Sequence, residues 1–331
     1  MNSNYKYIVF SPYFGKLPAI FDLWLQSCGY NKEILFIVFT DDVYNGILPE
    51  NVQIKQMKFA ELQSLVQSKF DFPISLKTPY KLCDYRPAFG YIFEKYLQGC
   101  DYWGYCDLDM IFGEIHKFLP KQSYGKISHL GHLCLYRNIP EITKAFMLTS
   151  AHNFNYKDIF SSPTHFAFDE NDDYGINAIF RHNKLSIYPF ENFIADVNCL
   201  YHNFMLSHYQ NPGFVLEYGK RIFSIENGQV YAQTLTAESI ETKEYAYIHI
   251  QKRRLERIFK DTPQKYLITP AGFEPWQEIS LNFIEVRQKK QSRLDFYLKK
   301  LSVKKASSPR ALRRKLTIKK IELFNKFIRG K

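Results

Sequence analysis

The sequence predicts an α/β protein built on a mostly parallel sheet. Segments with strand and helix patterns alternate through roughly the first third of the chain, and residues 33–39 are apolar on both faces. A strand that is apolar throughout is typical of the centre of a parallel sheet, because helices cover both of its sides. The hydrophobic fraction is 46% of 331 residues, which allows a sizeable core in one large domain or two ordinary ones.

Each element of the first half has its own signal. Residues 5–10 form a short apolar run that predicts a strand ending at the turn 11–15, and Pro18 suits the first turn of a helix that Gly29 ends. Further elements follow in order: strands at 33–39 and 52–57, a helix from Phe59 to Val66, a helix at 87–97, and a strand within 101–112 that runs into an acidic turn.

The second half is less regular. The pattern predicts a strand within 127–136, a helix at 141–148, a helix over 169–181 with an acidic N-terminus, and a strand at 245–250. Residues 214–218, 221–225 and 229–233 predict a small β-meander, in which Asn227-Gly228 is a strong hairpin signal.

The charge is divided unevenly along the chain. Residues 287–331 hold 17 of the 44 Lys and Arg but only two of the 33 acids, a net of +15, so residues 1–286 carry 27 bases and 31 acids, a net of −4. The tail alternates bases with Leu, Ile and Phe, which predicts a basic, partly amphipathic helical segment with a break at 307–309. Three interpretations of the tail stay open: an anchor on an anionic membrane, a segment that binds nucleic acid, or a disordered solubilising end.

The sequence lacks the patterns that are typical of several classes of protein. The longest purely apolar run, 34–39, is far shorter than the roughly 20 residues that a membrane span needs, and no signal-peptide pattern is present. The six cysteines contain no C-x-x-C pair, which favours reduced thiols in a cytoplasmic protein. A Walker A motif and a G-x-G-x-x-G motif are lacking, which disfavours a kinase-like NTPase and a dinucleotide-binding protein. The sequence also lacks a helix-turn-helix, zinc or RNA-recognition signature, so nucleic acid is not an expected partner.

The strongest chemical motif is Asp107-x-Asp109, at the end of the predicted apolar strand 102–106. Two carboxylates placed there can converge on one Mg²⁺ or Mn²⁺ and bridge it to phosphate oxygens, although a solvated acidic turn also explains them. Ligands of parallel sheets bind at the carboxyl ends of strands, and two other predicted strands end in polar residues, at Ser11 and at Thr40-Asp41-Asp42.

Five blocks of sequence resemble a family of bacterial glycosyltransferase-like proteins from capsule and lipopolysaccharide gene clusters. The resemblance covers roughly residues 5–255, leaves out the tail, and extends more distantly to type A glycosyltransferases, which hold a nucleotide-sugar through a D-x-D. It implies a Rossmann-like fold with a nucleotide-binding part (1–125) and an acceptor part (126–286), followed by the tail (287–331). The blocks are residues 82–90, 102–113, 131–138, 168–170 and 249–253.

The resemblance also implies roles for individual residues. Asp107 and Asp109 would hold the cation, with His249 as a further ligand, and the donor would be a nucleoside-diphosphate sugar, most often with UDP. The residues implied to contact the nucleoside, diphosphate or donor sugar are Ser11, Tyr13, Thr40, Asp41, Asp84, Arg86, Asp107, Lys252 and Arg253. Asp84 and Arg86 are separated by one residue, which departs from the commonest family spacing.

Asp169 and Glu170 are the candidates for acceptor contact and for a general base. Capping of the predicted helix over 169–181 explains the same acids without catalysis. His132 fits a core histidine as well as an acceptor ligand.

The resulting hypothesis is a metal-dependent enzyme that transfers a hexose to a glycan or lipid-linked acceptor, at the inner face of the cell membrane, where the tail binds anionic lipid. Two alternatives remain: a non-catalytic relative that binds a nucleotide, and a protein that binds nucleic acid through the tail.

Overall fold

A computed structural model of the chain describes residues 5–152, 155–210, 213–251, 253 and 255–329, with the side chains of 303–311 and 326–329 left out. The protein is a mixed α/β structure whose central sheet has the strand order β3-β2-β1-β4-β7-β6-β8. The strands of this sheet are β1 (Tyr7–Pro12), β2 (Ile34–Thr40), β3 (Val52–Gln56), β4 (Tyr102–Cys106), β6 (Lys126–Ile127), β7 (Leu133–Arg137) and β8 (Ile187–Tyr188).

The first four strands in this order run parallel, whereas β7 is antiparallel to β4. The predicted α/β class with a parallel centre is thus confirmed. β2 is buried at every position, as its continuous apolar sequence predicts.

Helices cover both faces of the central sheet. Alternate residues of β1 enter different cores: Ile8 lies in a cluster with Leu62 of helix α2, and Val9 lies in a cluster with Trp24 of helix α1. The helices, in chain order, are α1 (Phe21–Gly29), α2 (Phe59–Gln67), α3 (Phe89–Ile92), α4 (Pro140–Thr143), α5 (Tyr156–Ser161), α6 (Ile176–His182), α7 (Leu281–Arg287) and α8 (Arg293–Arg329).

Three further sheets complete the chain, with the orders β5-β15-β9, β10-β11 and β14-β13-β12-β17-β18-β16. Their strands are β5 (Met110–Phe112), β9 (Ile194–Asp196), β10 (Leu206–Tyr209), β11 (Phe214–Glu217), β12 (Lys220–Glu226), β13 (Gln229–Leu235), β14 (Ile240–Tyr245), β15 (Tyr247–His249), β16 (Glu256–Arg257), β17 (Lys265–Ile268) and β18 (Gly272–Pro275).

The predicted hairpin is confirmed, since Asn227 and Gly228 have φ values of 50° and 85° between β12 and β13. The predicted meander is wrong in its first strand. β11 pairs with β10, which the pattern did not predict, and the antiparallel meander consists of β12, β13 and β14.

Two predicted helices differ in the structure. The segment predicted as a helix over 87–97 is α-helical at α3 and forms 3₁₀ turns on either side of it, while Phe89, Ile92 and Phe93 lie in the core. The helix predicted at 141–148 is divided between α4 and a 3₁₀ turn at Ala145–Met147.

The predicted break in the tail is also wrong. α8 continues through residues 307–309 from Arg293 to Arg329. A proline inside a helix costs about 3 kcal/mol, yet the turns beyond it are held because Ile318 and Ile321 pack on the core of the body. No helix in the described residues is long and apolar enough to cross a membrane.

Candidate functional site

A cavity of about 770 Å³ opens at the carboxyl ends of β1 and β4. Ser11 and Pro12 of β1 line it, and Asp107 enters it directly after β4. This is the edge of a parallel sheet where ligands of α/β proteins bind. The structure brings together at this cavity Ser11, Tyr13, Arg86, Asp107, Asp109, Asp169, Glu170, His249 and Arg253.

Asp107 and Asp109 converge because the chain changes sheets between them. β4 belongs to the central sheet, whereas β5, which begins at Met110, pairs with β15 in another sheet. This pairing places His249 opposite Met110 and therefore beside Asp109. One ligand atom from each of Asp107, Asp109 and His249 lies within 4.8 Å of the others, which suits a single metal ion.

Asp196 orients the His249 ring. Its Oδ1 lies 2.8 Å from His249 Nδ1, and the other ring nitrogen, Nε2, lies 3.4 Å from Asp109 Oδ1. A carboxylate bonded to the far nitrogen of a histidine is the usual support of a metal-binding imidazole. Burial alone would lower the pKa of His249, but the hydrogen bonds to Asp109 and Asp196 outweigh burial and raise that pKa to about 10.

The two carboxylates of the motif differ in their surroundings. Burial raises the pKa of Asp107, although Arg86 pulls it in the opposite direction. Burial also opposes ionisation of Asp109, but the hydrogen bond with His249 outweighs it, so the pKa of Asp109 lies below its ordinary value.

His132 lies against His249, with 4.2 Å between the ring centroids. The hydroxyl of Tyr247 lies 2.9 Å from His132 Nδ1, and the buried Nε2 has no hydrogen-bond partner. Burial, together with the neighbouring His249, lowers the pKa of His132 to about 3, so the ring is neutral. If Tyr247 donates to Nδ1, the ring proton sits on the buried Nε2.

His132 also belongs to a second potential metal-binding group, with Asp196 and His249, whose ligand atoms lie within 4.8 Å of one another. The two groups share His249. Because Nδ1 of His249 is already bonded to Asp196, its Nε2 is the nitrogen that remains for a cation, and Nε2 faces Asp109. This geometry favours the group that contains the Asp-x-Asp motif.

Arg86 connects the motif with the second pair of acids. Its guanidinium forms ion pairs with Asp107 and with Asp169 and donates to the carbonyl of Gly131 at 2.8 Å. A guanidinium can donate in several directions at fixed angles, which suits such a bridge. Asp107 and Asp169 are thus held in one charged network.

Asp169 and Glu170 do not cap a helix. Helix α6 begins at Ile176, with Gly175 at its N-cap position, so the capping explanation for these acids is wrong. Asp169 is buried, which raises its pKa well above the ordinary value, whereas Glu170 is accessible to solvent. A Cβ atom at Gly131 would lie 3.0 Å from the carboxylates of both residues, so the two acids close tightly over that position.

Three predicted site residues lie outside the cavity and support it instead. Asp41 accepts the backbone N–H of Gly15 at 2.7 Å, and Thr40 Oγ1 accepts the N–H of Asp42, so this strand end fixes the loop that carries Tyr13. Asp84 is fully buried against Lys81 at 2.6 Å.

Asp84 also accepts the backbone N–H groups of Phe166 and Phe168, so it fixes the segment that leads to Asp169. Arg253 lines the cavity but donates to backbone carbonyls of the loop 198–203, including that of His202 at 2.9 Å. The prediction for Lys252 falls outside the described residues.

Asp196 was missed in the sequence. Its signal resembles that of the Asp-x-Asp motif, because Asp196 ends the apolar stretch of β9. The sequence does not distinguish a functional His132 from a core histidine, because its place in an apolar segment fits both. Only the stacking on His249 and the bond with Tyr247 distinguish it.

Comparisons with known proteins give one match. Residues 9–277 match a family described as a family of unknown function, DUF6625. This match contains the whole cavity and leaves α8 outside. No curated protein and no solved structure matches the chain.

Proposed function

We propose that this chain, which belongs to the family of unknown function DUF6625, is a metal-dependent glycosyltransferase that uses a nucleoside-diphosphate sugar. The observation that carries the proposal is the convergence of Asp107, Asp109 and His249 in a cavity at the carboxyl edge of a parallel sheet. The parallel strands β3-β2-β1-β4, followed by antiparallel β7, support a type A glycosyltransferase fold. The donor class, UDP-sugar, rests on the sequence resemblance.

A Mn²⁺ or Mg²⁺ held by Asp107, Asp109 and His249 would neutralise the charge that develops on the departing diphosphate. Oxygen ligands suit both cations, and Asp196 keeps His249 Nε2 directed at this point. His132 would support the ring of His249, on which it stacks. Arg86 would hold Asp107 and Asp169 at a fixed separation while the substrate binds.

The transfer step needs a group that takes a proton. The oxygen of the acceptor hydroxyl forms a bond to the anomeric carbon as the bond from that carbon to the diphosphate oxygen breaks, and the hydroxyl proton passes to a carboxylate. We assign this role to Glu170, because it lines the cavity and is accessible, whereas Asp169 is buried and ion-paired with Arg86. A hexose donor and a glycan or lipid-linked acceptor complete the proposal.

The test is a thermal-shift and turnover screen of UDP-sugars with and without Mn²⁺. We expect a donor to raise the melting temperature more with Mn²⁺ than without it, and free UDP to appear when acceptor is added. Asp109→Asn should abolish the metal-dependent part of both signals. Asp101→Asn is a matched control, because Asp101 is exposed and outside the cavity.

The same screen distinguishes the non-catalytic alternative. A nucleotide that binds equally well with and without Mn²⁺, gives no UDP release, and is unaffected by Asp109→Asn would indicate a nucleotide-binding relative without transferase activity. The absence of any stabilisation by nucleotide-sugars would reject both functions.

A further inference from the structure

The described side chains of helix α8 that pack on the body of the protein lie on one side of the helix. Ile318 and Ile321 pack on the core cluster that contains Phe166 and Phe168. Polar contacts on the same side join Thr317 with Thr164, Arg314 with the carbonyl of Phe166, and Asn325 with Asp158. The tail is therefore docked and presents a defined opposite side.

In the parts of α8 whose side chains are described, that opposite side carries exposed leucines. Each of its leucines has between 56% and 66% of its surface exposed, a large fraction for such side chains in water. At about 100° per residue, these positions fall on one side of the helix, roughly opposite Ile318 and Ile321. The leucines are Leu294, Leu298, Leu301, Leu312, Leu316 and Leu323.

Positive charge borders this leucine stripe. Arg313, Lys315, Lys319 and Lys320 are exposed on or beside it. The whole helix carries thirteen Lys and Arg against Asp295 and Glu322. An exposed apolar stripe bordered by bases is typical of a helix that lies in the interface of a membrane, where leucines enter the acyl boundary and bases reach the headgroups.

The length of the leucine stripe also favours a binding partner with a flat surface. From Leu294 to Leu323 it extends for about 44 Å at 1.5 Å per residue. A lipid surface can contact exposed leucines near both ends of a helix of this length, and an anionic one complements its charge.

We propose that the leucine stripe of α8 binds an anionic lipid bilayer with the helix lying along the surface. The body is then held at the membrane through the contacts of Ile318, Ile321 and Thr317. This proposal does not depend on the proposed catalytic activity.

The test is sedimentation of the full chain with vesicles of phosphatidylcholine alone and with vesicles that contain phosphatidylglycerol. We expect binding to the anionic vesicles only, and weaker binding at high salt. The double variant Leu298→Ser with Leu316→Ser keeps the charge and should bind about tenfold more weakly. Ile47→Ser with Val286→Ser is the matched control, because both residues are exposed and apolar but lie outside α8.

A second measurement reports on the same face without removing it. Leu316→Trp places a fluorophore on the stripe, and its emission should shift to the blue with anionic vesicles. Equal vesicle binding by the serine variant and its control would overturn the proposal. So would sedimentation equilibrium showing a wild-type dimer that the serine variant dissociates, without vesicle binding, since the stripe would then pair with a second copy.

Discussion

Asp196 Oδ1 lies 2.8 Å from Nδ1 of His249, on the side of the ring that faces away from the Asp-x-Asp motif. The two residues end the parallel neighbours β9 and β15, so the pairing of these strands fixes their contact. Gln251 donates to the same oxygen of Asp196 at 2.9 Å, which holds the carboxylate in place.

The first prediction concerns this support. Asp196→Asn should leave Asp107, Asp109 and His249 in place but weaken the orientation of the ring, so Mn²⁺ affinity should fall by about 10- to 100-fold. Isothermal titration with Mn²⁺ measures this, with Asp101→Asn as the control. Unchanged affinity in a folded Asp196→Asn protein would show that His249 is not a ligand.

The second prediction concerns His132. His132→Phe keeps a flat ring beside His249 but removes the nitrogen that the Tyr247 hydroxyl contacts. Because the stacking on His249 is kept, Mn²⁺ affinity in isothermal titration should fall by less than in Asp196→Asn. Tyr247→Phe removes only the hydroxyl and should have a smaller effect still. A loss in His132→Phe as large as that in Asp196→Asn would show that His132 does more than support the ring of His249.

The third prediction concerns stability at Asp84. Asp84→Ala leaves the buried ammonium of Lys81 without its carboxylate and two backbone N–H groups without an acceptor. We expect a loss of about 3–5 kcal/mol in the free energy of unfolding, measured in urea. Lys81→Met should cost less, because Asp84 keeps its backbone partners, and the double variant should cost less than the sum of the two.

The fourth prediction concerns pH. Glu274 is buried, which opposes its ionisation, but its ion pair with Arg287 at 2.8 Å and its bond from Thr269 lower its pKa below the ordinary value. A lowered folded-state pKa gives stability that is complete above the unfolded-state pKa and is lost as the pH falls through the folded-state pKa.

Glu274→Gln should therefore be less stable than wild type near neutral pH, and the difference should shrink on acidification below about pH 4.5. Urea unfolding at a series of pH values measures this. Glu285→Gln is the control, because its pair with Lys220 is exposed and should contribute little. A stability difference that is constant with pH would contradict the assignment.

The regular elements were predictable wherever burial leaves a strong pattern. β2 is apolar on both faces, which predicts a strand inside a sheet, and α1 has one apolar side, which predicts a helix packed on a core. The division of the segment over 87–97 into α3 and 3₁₀ turns was not predictable, because Phe89 and Phe93, four residues apart, have the spacing of one continuous α-helix. The local sequence around Pro309 predicts a break, yet α8 continues through it, because residues beyond Pro309 pack on the core.

The sequence by itself determined the α/β class, the acidic strand end at Asp107 and Asp109, and the separation of an acidic body from a basic tail, because each of these is a local pattern or a count. The tertiary structure alone decided which residues meet there. Strand pairing between β5, β15 and β9 brings Asp109, His249 and Asp196 together from positions more than fifty residues apart, and no local spacing encodes such a contact. The structure likewise assigned Asp84 and Asp41 to support, because their carboxylates are already occupied by backbone N–H groups.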